Sequence, residues 1–299
     1  MKFVFLHAPI LGALVCFTAM TSPAQSWDAA RVAAGWAKQD KDDSFTFYDA
    51  RDRSLHTWAR DGGEMRVISL AKLEAAPERW VIDPRNNAWV AHGSTLSHVD
   101  SGGRILTTVK LPAEVGDVCW DARGFVLSYR TAEPYLEKRD YKNADVIWSS
   151  GAKPGKREGM ALAVRRPVLT DDLGHVLMAE GRTLNLSTLD GGSGRKIAET
   201  DLKLGGQRAP VLEGAYMDRG PLAIWPGKGV VFAALKALQV PAAQRGALQG
   251  LVLARLDAQQ NSLEFLPTGL DEDHMLVGVL DADAVFANPR GGLMLVRVR

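Results

Sequence analysis

Val81-Ile82-Asp83-Pro84-Arg85-Asn86-Asn87-Ala88-Trp89-Val90-Ala91-His92, followed by Thr95-Leu96-Ser97-His98-Val99-Asp100-Ser101-Gly102-Gly103-Arg104, decides how the chain reads. Short apolar runs stand between two aspartates 17 residues apart, and turn-forming residues follow each aspartate. Runs of this length and composition are strands joined by tight turns. Asp suits such turns because its carboxylate accepts from backbone N–H groups two residues on. Gly supplies the positive φ that tight hairpins need.

The same frame returns along the chain. Asp121 and Asp140, 19 apart, enclose Gly124–Tyr129 and Tyr135–Lys138. Asp172 and Asp190, 18 apart, enclose His175–Glu180 and Leu184–Ser187. Asp43 and Asp61, also 18 apart, enclose Phe45-Thr46-Phe47-Tyr48. A further strand follows each frame, at Glu64–Leu70, Arg104–Leu111, Ala144–Ser149 and Arg195–Leu202. Each unit therefore reads as four antiparallel strands. Two weaker units follow. One begins at Pro221, continues through Gly229–Phe232 and Leu251–Asp257, and holds residues 235–248 as an insertion. The other runs from Met275 through Ala284–Ala287 to Leu293–Arg297 and has three strands. Repeats of this period stack radially. The predicted fold is all-β: a six-bladed β-propeller of four-stranded antiparallel blades, one domain over residues 27–299. The aspartates are expected to cap turns, not to form a catalytic set.

A ring must close. The last unit lacks a fourth strand, and the stretch Trp27 to Gly35, within an N-terminal closure segment 27–42, is expected to pair with or pack against it. Trp27 to Lys38 is also the one stretch with helical spacing of its alanines.

Residues 1–26 differ from the rest. Lys2 is the only charge before Asp28, an apolar run follows, and Thr21-Ser22-Pro23-Ala24-Gln25-Ser26 closes it with small residues. This is the pattern of a cleaved signal peptide, with the cut before Trp27 or before Gln25. An uncleaved anchor would have to bury His7 and Pro9. The expected localisation is secreted or periplasmic, without stable membrane insertion after cleavage. Loss of Lys2 leaves 35 basic against 35 acidic residues, which argues against a nucleic-acid partner. Cys119 is then the single cysteine, so no disulfide forms within the mature chain. Its neighbour Trp120 suggests a buried, inert thiol.

The segments quoted first resemble blades of NHL-repeat and gluconolactonase-like six-bladed propellers, and the resemblance spans residues 43–299. It implies the ring, and a ring of this kind does not fix a function. The Gly-His and Trp-Asp pair of WD-repeat blades does not recur, nor does the Asp-box of sialidases. Lactonases of the group hold a channel metal with acidic and amide side chains. Glu158-Gly159 and Glu213-Gly214 are similar to that group's Glu-Gly opening, but neither stands in the first blade and matching Asn ligands cannot be placed.

Propeller geometry puts the turns between strands one and two, and three and four, on one face; here they are short. The opposite face receives 151–166, 203–220, 235–248 and 267–274. Long loops on one face of a rigid scaffold are the usual place for function. Lys153, Lys156, Arg157, Arg165 and Arg166 stand against the single Glu158 and could form an anion-binding rim. They could equally be solvated loop charges. Glu213 and Asp218 complete the candidate ligand-binding set. Under an alternative metal reading, Glu158, Glu213, Asp271 and Asp273 would hold Ca²⁺ through hard oxygen ligands, or Asp271-Glu272-Asp273-His274 is an exposed acidic turn. The strand histidines His56, His92, His98 and His175 are expected to be satisfied sheet residues. Trp80, Trp120 and Trp225 are expected to pack between blades rather than to stack on a sugar. No serine-nucleophile elbow, phosphate loop or zinc-protease helix is present. The expected function is an exported binding module that recognises a protein or small ligand at its long-loop face, with no cofactor. The alternative is a metal-assisted, lactonase-like hydrolase or lyase with carboxylates at the channel mouth.

Overall fold

Asp83, Asp121, Asp171 and Asp257 each follow or end a strand and accept N–H groups from the residues two to four positions on, which forces the chain back on itself. These turns repeat around an axis and lay down six antiparallel sheets. The computed structural model describes residues 37–39, 44–59, 63–155, 166–179, 183–213, 220–225, 227–288 and 292–298. The signal-peptide region and Trp27 to Gly35 lie outside them.

The first blade holds β1 Ala37–Gln39, β2 Phe45–Asp49, β3 Ser54–Trp58 and β4 Glu64–Ser69. The second holds β5 Arg79–Ile82, β6 Ala88–His92, β7 Thr95–Val99 and β8 Ile105–Lys110. The third holds β9 Val115–Asp121, β10 Gly124–Tyr129, β11 Tyr135–Arg139 and β12 Val146–Gly151. The fourth holds β13 Val168–Thr170, β14 Val176–Ala179, β15 Leu186–Leu189 and β16 Lys196–Glu199. A small hairpin, β17 Lys203–Leu204 and β18 Gln207–Arg208, precedes the fifth blade, which holds β19 Ala223–Trp225, β20 Val230–Lys236, β21 Leu251–Asp257 and β22 Ser262–Pro267. The sixth holds β23 Met275–Leu280, β24 Asp283–Ala287 and β25 Leu293–Arg297.

The first strand of each blade lies innermost. β5 sits beside β9, β9 beside β13, β19 beside β23, and β23 beside β1. Apolar side chains fill each gap between blades as a separate cluster. Trp80 joins the first gap with Tyr48, Leu55 and Ile82, and Trp225 packs on the cluster between blades five and six. Sheets stacked face to face in this way bury both faces of their middle strands, which is why β2, β3 and β10 are buried throughout.

Closure happens at two levels. Phe45, Phe47 and Trp58 of blade one pack against Val277, Val285 and Leu293 of blade six. At the axis Gln39 Nε2 donates to Val279 O and Val279 N donates to Gln39 Oε1, both at 2.8 Å. The side-chain amide thus stands where a neighbouring strand's backbone would. β1 itself pairs with β2 in its own blade, and the sixth sheet has three strands among the described residues.

The insertion is folded. A 3-10 turn, Ala237–Gln239, and a short helix, α1 Ala242–Arg245, cap blade five, with Val240 packed on Val252 and Phe265. Residues 203–208, read from the sequence as part of a face loop, instead pair through β17 with the outer edge of β22. Among the described residues no helix is long and apolar enough to cross a membrane.

Candidate functional site

The inner strands enclose an axial cavity of about 340 Å³ to which all six blades contribute. Its apolar wall comes from Val81, Val168, Leu222, Ile224 and Val277. Its lining reaches the short turns after β9 and β13, where Asp121, Asp171 and Asp172 stand, and among the described residues includes no Lys, Arg or His. The cavity therefore reaches the short-turn face, opposite the long loops on which the sequence focuses attention.

Each carboxylate at this mouth is held. Asp121 is buried; its Oδ1 accepts from Arg123 N at 3.0 Å and lies 2.6 Å from Lys138 Nζ. Lys138 comes from β11 of the same blade and also donates to Gly191 O of blade four at 2.7 Å. Asp171 Oδ1 accepts from Leu173 N and His175 N, and its Oδ2 lies 3.0 Å from His175 Nδ1. Asp172 is exposed and its Oδ2 accepts from Gly227 N of the next blade at 2.6 Å. Above them Thr170 Oγ1 donates to Trp120 O at 2.5 Å, and Cys119 Sγ lies 3.4 Å from Thr170 Oγ1. Cys119 is a buried thiol that joins no disulfide among the described residues. Lys138 meets the charge of Asp121, so Asp171 and the exposed Asp172 are the carboxylates left to favour a ligand end that carries positive charge or hydroxyl groups.

At the long-loop end, buried charges knit blades two to four. Arg79 Nε donates to Gly116 O at 3.1 Å and lies 3.7 Å from Asp117 Oδ1, while Asp117 Oδ2 accepts from Val168 N. Arg166 is buried, and its guanidinium donates to Thr131 O and Ala132 O, each at 2.9 Å. It joins two blades there instead of standing on a solvent-facing rim. Lys153 is exposed, whereas Lys156, Arg157, Glu158, Arg165 and Asp218 lie outside the described residues.

Glu213 reaches away from the channel. Its Oε1 accepts from Ala242 N and its Oε2 from Arg245 Nη2, both at 3.2 Å, so it anchors the cap on blade five. Asp271 and Asp273 are exposed turn residues, and Asp271 O accepts the His274 N–H at 3.2 Å. Among the described residues one group alone brings three metal-competent side chains together, with ligand atoms within 4.8 Å of one another: Asp49, Asp52 and His56. The sequence analysis did not single it out, although its three members fall within eight residues of a single hairpin.

No protein-family model matches the sequence, and no curated protein does either. Among solved structures, virginiamycin B lyase from Staphylococcus aureus is similar in a selenomethionine-substituted form and in a catalytically inactive variant with quinupristin. Each gives a TM-score of 0.54 at 11% identity, covering 88% of this chain and 80% of that one. A chain of a mitotic checkpoint complex gives 0.52 at 11% identity, covering 100% and 98%. Similarity at this level is one of fold and carries no activity with it. The six sheets set around one axis make the chain a six-bladed β-propeller, and the likeness to these structures is one of overall fold.

Proposed function

We propose that this chain is an exported β-propeller that recognises a small ligand in its axial cavity and catalyses no reaction of its own. The observation that carries this reading is the cavity, walled by inner strands and rimmed by Asp171 and Asp172, beside the Lys138-paired Asp121, with no basic residue in its lining among the described residues. Its volume falls in the range of small-molecule sites, which run from about 300 Å³ upward. The ligand class is a compact molecule with an apolar body and a cationic or hydroxyl-rich end. The signal-peptide pattern of residues 1–26 supports export. The hydrolase alternative draws no support from Glu213, which the Arg245 cap engages, nor from Asp271 and Asp273, which among the described residues do not converge with a third ligand.

The test is a thermal-shift screen of the purified protein against small amines, amino sugars and polyols, with carboxylic acids as controls. A ligand at a hundred times its Kd adds about 2.7 kcal/mol and raises the Tm by several degrees. Ala122→Trp, at the exposed mouth, should remove the shift without altering the melting of the free protein, and Asp172→Asn, measured against its own melting without ligand, should remove it too. A shift that persists in both variants, or one produced by the acids alone, would overturn the proposal.

A further inference from the structure

A second pocket, of about 540 Å³, lies between blades two and three, with the outer strand β8 in its wall. Strand register sets Trp89, His98 and Thr107 in one row across β6, β7 and β8. Tyr141, Lys142 and Asn143, in the turn after β11, line the pocket from blade three. His98 is buried (6% exposed), and its Nε2 carries its hydrogen toward Asp83 Oδ2 at 3.1 Å, because a carboxylate only accepts. Its Nδ1 has no hydrogen-bond partner among the described residues yet is not sealed from solvent, so it opens into the pocket that His98 lines.

The next gap shows what closes such a space. Asp121 holds in blade three the turn position of Asp83, each accepting the N–H two residues on, and Lys138 holds the strand position of His98. Lys138 passes Asp121 and donates to Gly191 O of blade four at 2.7 Å, beside the indole of Trp148. Between blades two and three, Tyr141 O takes the Trp89 indole in the same way, but the imidazole ends at Asp83 and the space beyond it stays open. Arg85 and Lys142 stand exposed at its edge, and neither side chain has a hydrogen-bond or ion-pair partner among the described residues. The one carboxylate of the described lining, Asp83, already accepts from Arg85 N, Asn87 N, Asn87 Nδ2 and His98 Nε2.

We propose that this pocket binds a small hydroxylated anion, of the sugar-phosphate or sugar-acid class, with Arg85 and Lys142 on the anionic group and His98 Nδ1 accepting a ligand hydroxyl. Cations with no protein partner are the groups that meet phosphate or carboxylate. A ring nitrogen whose opposite N–H is held by a carboxylate is a fixed acceptor, and Asn87 Oδ1 is a second one, since Asn87 Nδ2 is the atom engaged by Asp83. The described lining of the axial cavity holds no cation, so the two pockets select ligands of opposite charge.

Binding to the purified protein is measured by calorimetry with glucose 6-phosphate, glycerol 3-phosphate and gluconate, against glucose and inorganic phosphate, which each carry half of the chemistry. At least one hydroxylated anion is expected to bind one to one, about tenfold or more tighter than either half. Arg85→Ala combined with Lys142→Ala, both exposed, should weaken that binding about tenfold or more without moving the Tm. His98→Lys, which copies the Asp121–Lys138 pair and fills the space, should abolish it. Ala122→Trp, at the axial mouth, should leave it unchanged. Failure of every hydroxylated anion to bind would overturn the proposal. Undiminished affinity in the double variant would overturn it too, by placing the ligand elsewhere.

Discussion

Both oxygens of Asp83 are in use. Oδ1 accepts from Arg85 N and Asn87 N at 2.8 Å, and Oδ2 accepts from Asn87 Nδ2 at 3.1 Å and lies 3.1 Å from His98 Nε2. His98 in turn stacks on Trp89 with ring centroids 4.2 Å apart. Burial pushes the Asp83 carboxyl up, but the hydrogen bonds from His98, Asn87 and Arg85 outweigh it and hold the group below the usual carboxylate range. A folded-state pKa below the unfolded one contributes stability above about pH 4 and loses it as pH falls through the folded value. Asp83→Asn is therefore expected to cost about 1–3 kcal/mol at pH 7 by urea denaturation. The gap between variant and wild type should narrow as pH falls below about 4, through the lowered folded-state value of Asp83. An equal gap at pH 3 and pH 7 would show that the charge of Asp83 is immaterial. At this scale the turn role was legible in the sequence, because Asp-Pro-Arg-Asn-Asn carries its own turn chemistry. The His98 partnership was not, since it joins positions 15 residues apart whose meeting depends on strand register.

Among the elements, the cap on blade five centres on one side chain, Arg245. Arg245 Nε donates to Ala237 O and Val240 O at 3.1 Å, and its Nη2 to Leu238 O, Val240 O and Glu213 Oε2. The Glu213 pair is half exposed and worth little alone; the carbonyl bonds dominate. Removing them by Arg245→Ala should open the cap locally, because its other ties to the blade are few: the packing of Ala237, Val240 and Leu248 on Val252 and Phe265, and the bonds to Glu213 and Gly250. Amide exchange within 237–248 should quicken at least tenfold, while β20 and β21 keep their protection. Loss of protection throughout blade five would instead make the cap part of the blade's cooperative core. The insertion was readable from an interrupted strand pattern, though Leu235 and Lys236, read as its start, complete β20 against Val252 and Leu251. The β17–β18 hairpin was not read, although Gly205-Gly206 between its arms, with φ of +58° and +83°, is a turn signal in its own right. Its two-residue arms are too short for any apolar period, and pairing with β22 depends on the neighbouring blade. That pairing also covers an outer edge of the kind that β8 and β12 leave open, where Ile105, Leu106, Val146 and Ile147 are exposed.

For the whole ring, the seam between blades one and six decides whether the molecule holds as a circle. The aspartate frames and apolar runs made six units visible, and the gaps between them fill as separate clusters, so the architecture follows from local pattern repeated. Closure does not follow from pattern, because Ala37-Lys38-Gln39 has no strand-like apolar alternation and no sequence rule marks an amide that imitates a backbone. Gln39 satisfies the N–H and the C=O of Val279 together. It comes close because residue 278 is glycine: a Cβ there would stand 2.2 Å from Gln39 Oε1 and 2.7 Å from Gln39 Cβ. Gln39→Leu leaves both backbone groups of Val279 without that partner, a cost of about 2–4 kcal/mol for the pair. The Tm should fall by several degrees in calorimetry, and Gly278→Ala should lower it at least as much. Gln39→Glu should not rescue, since a carboxylate keeps the acceptor for Val279 N–H but turns its other oxygen toward Val279 O. If Gln39→Leu melts within a degree of wild type, the seam rests on Phe45, Phe47 and Trp58 alone, and substitution there would be the lever that opens the ring.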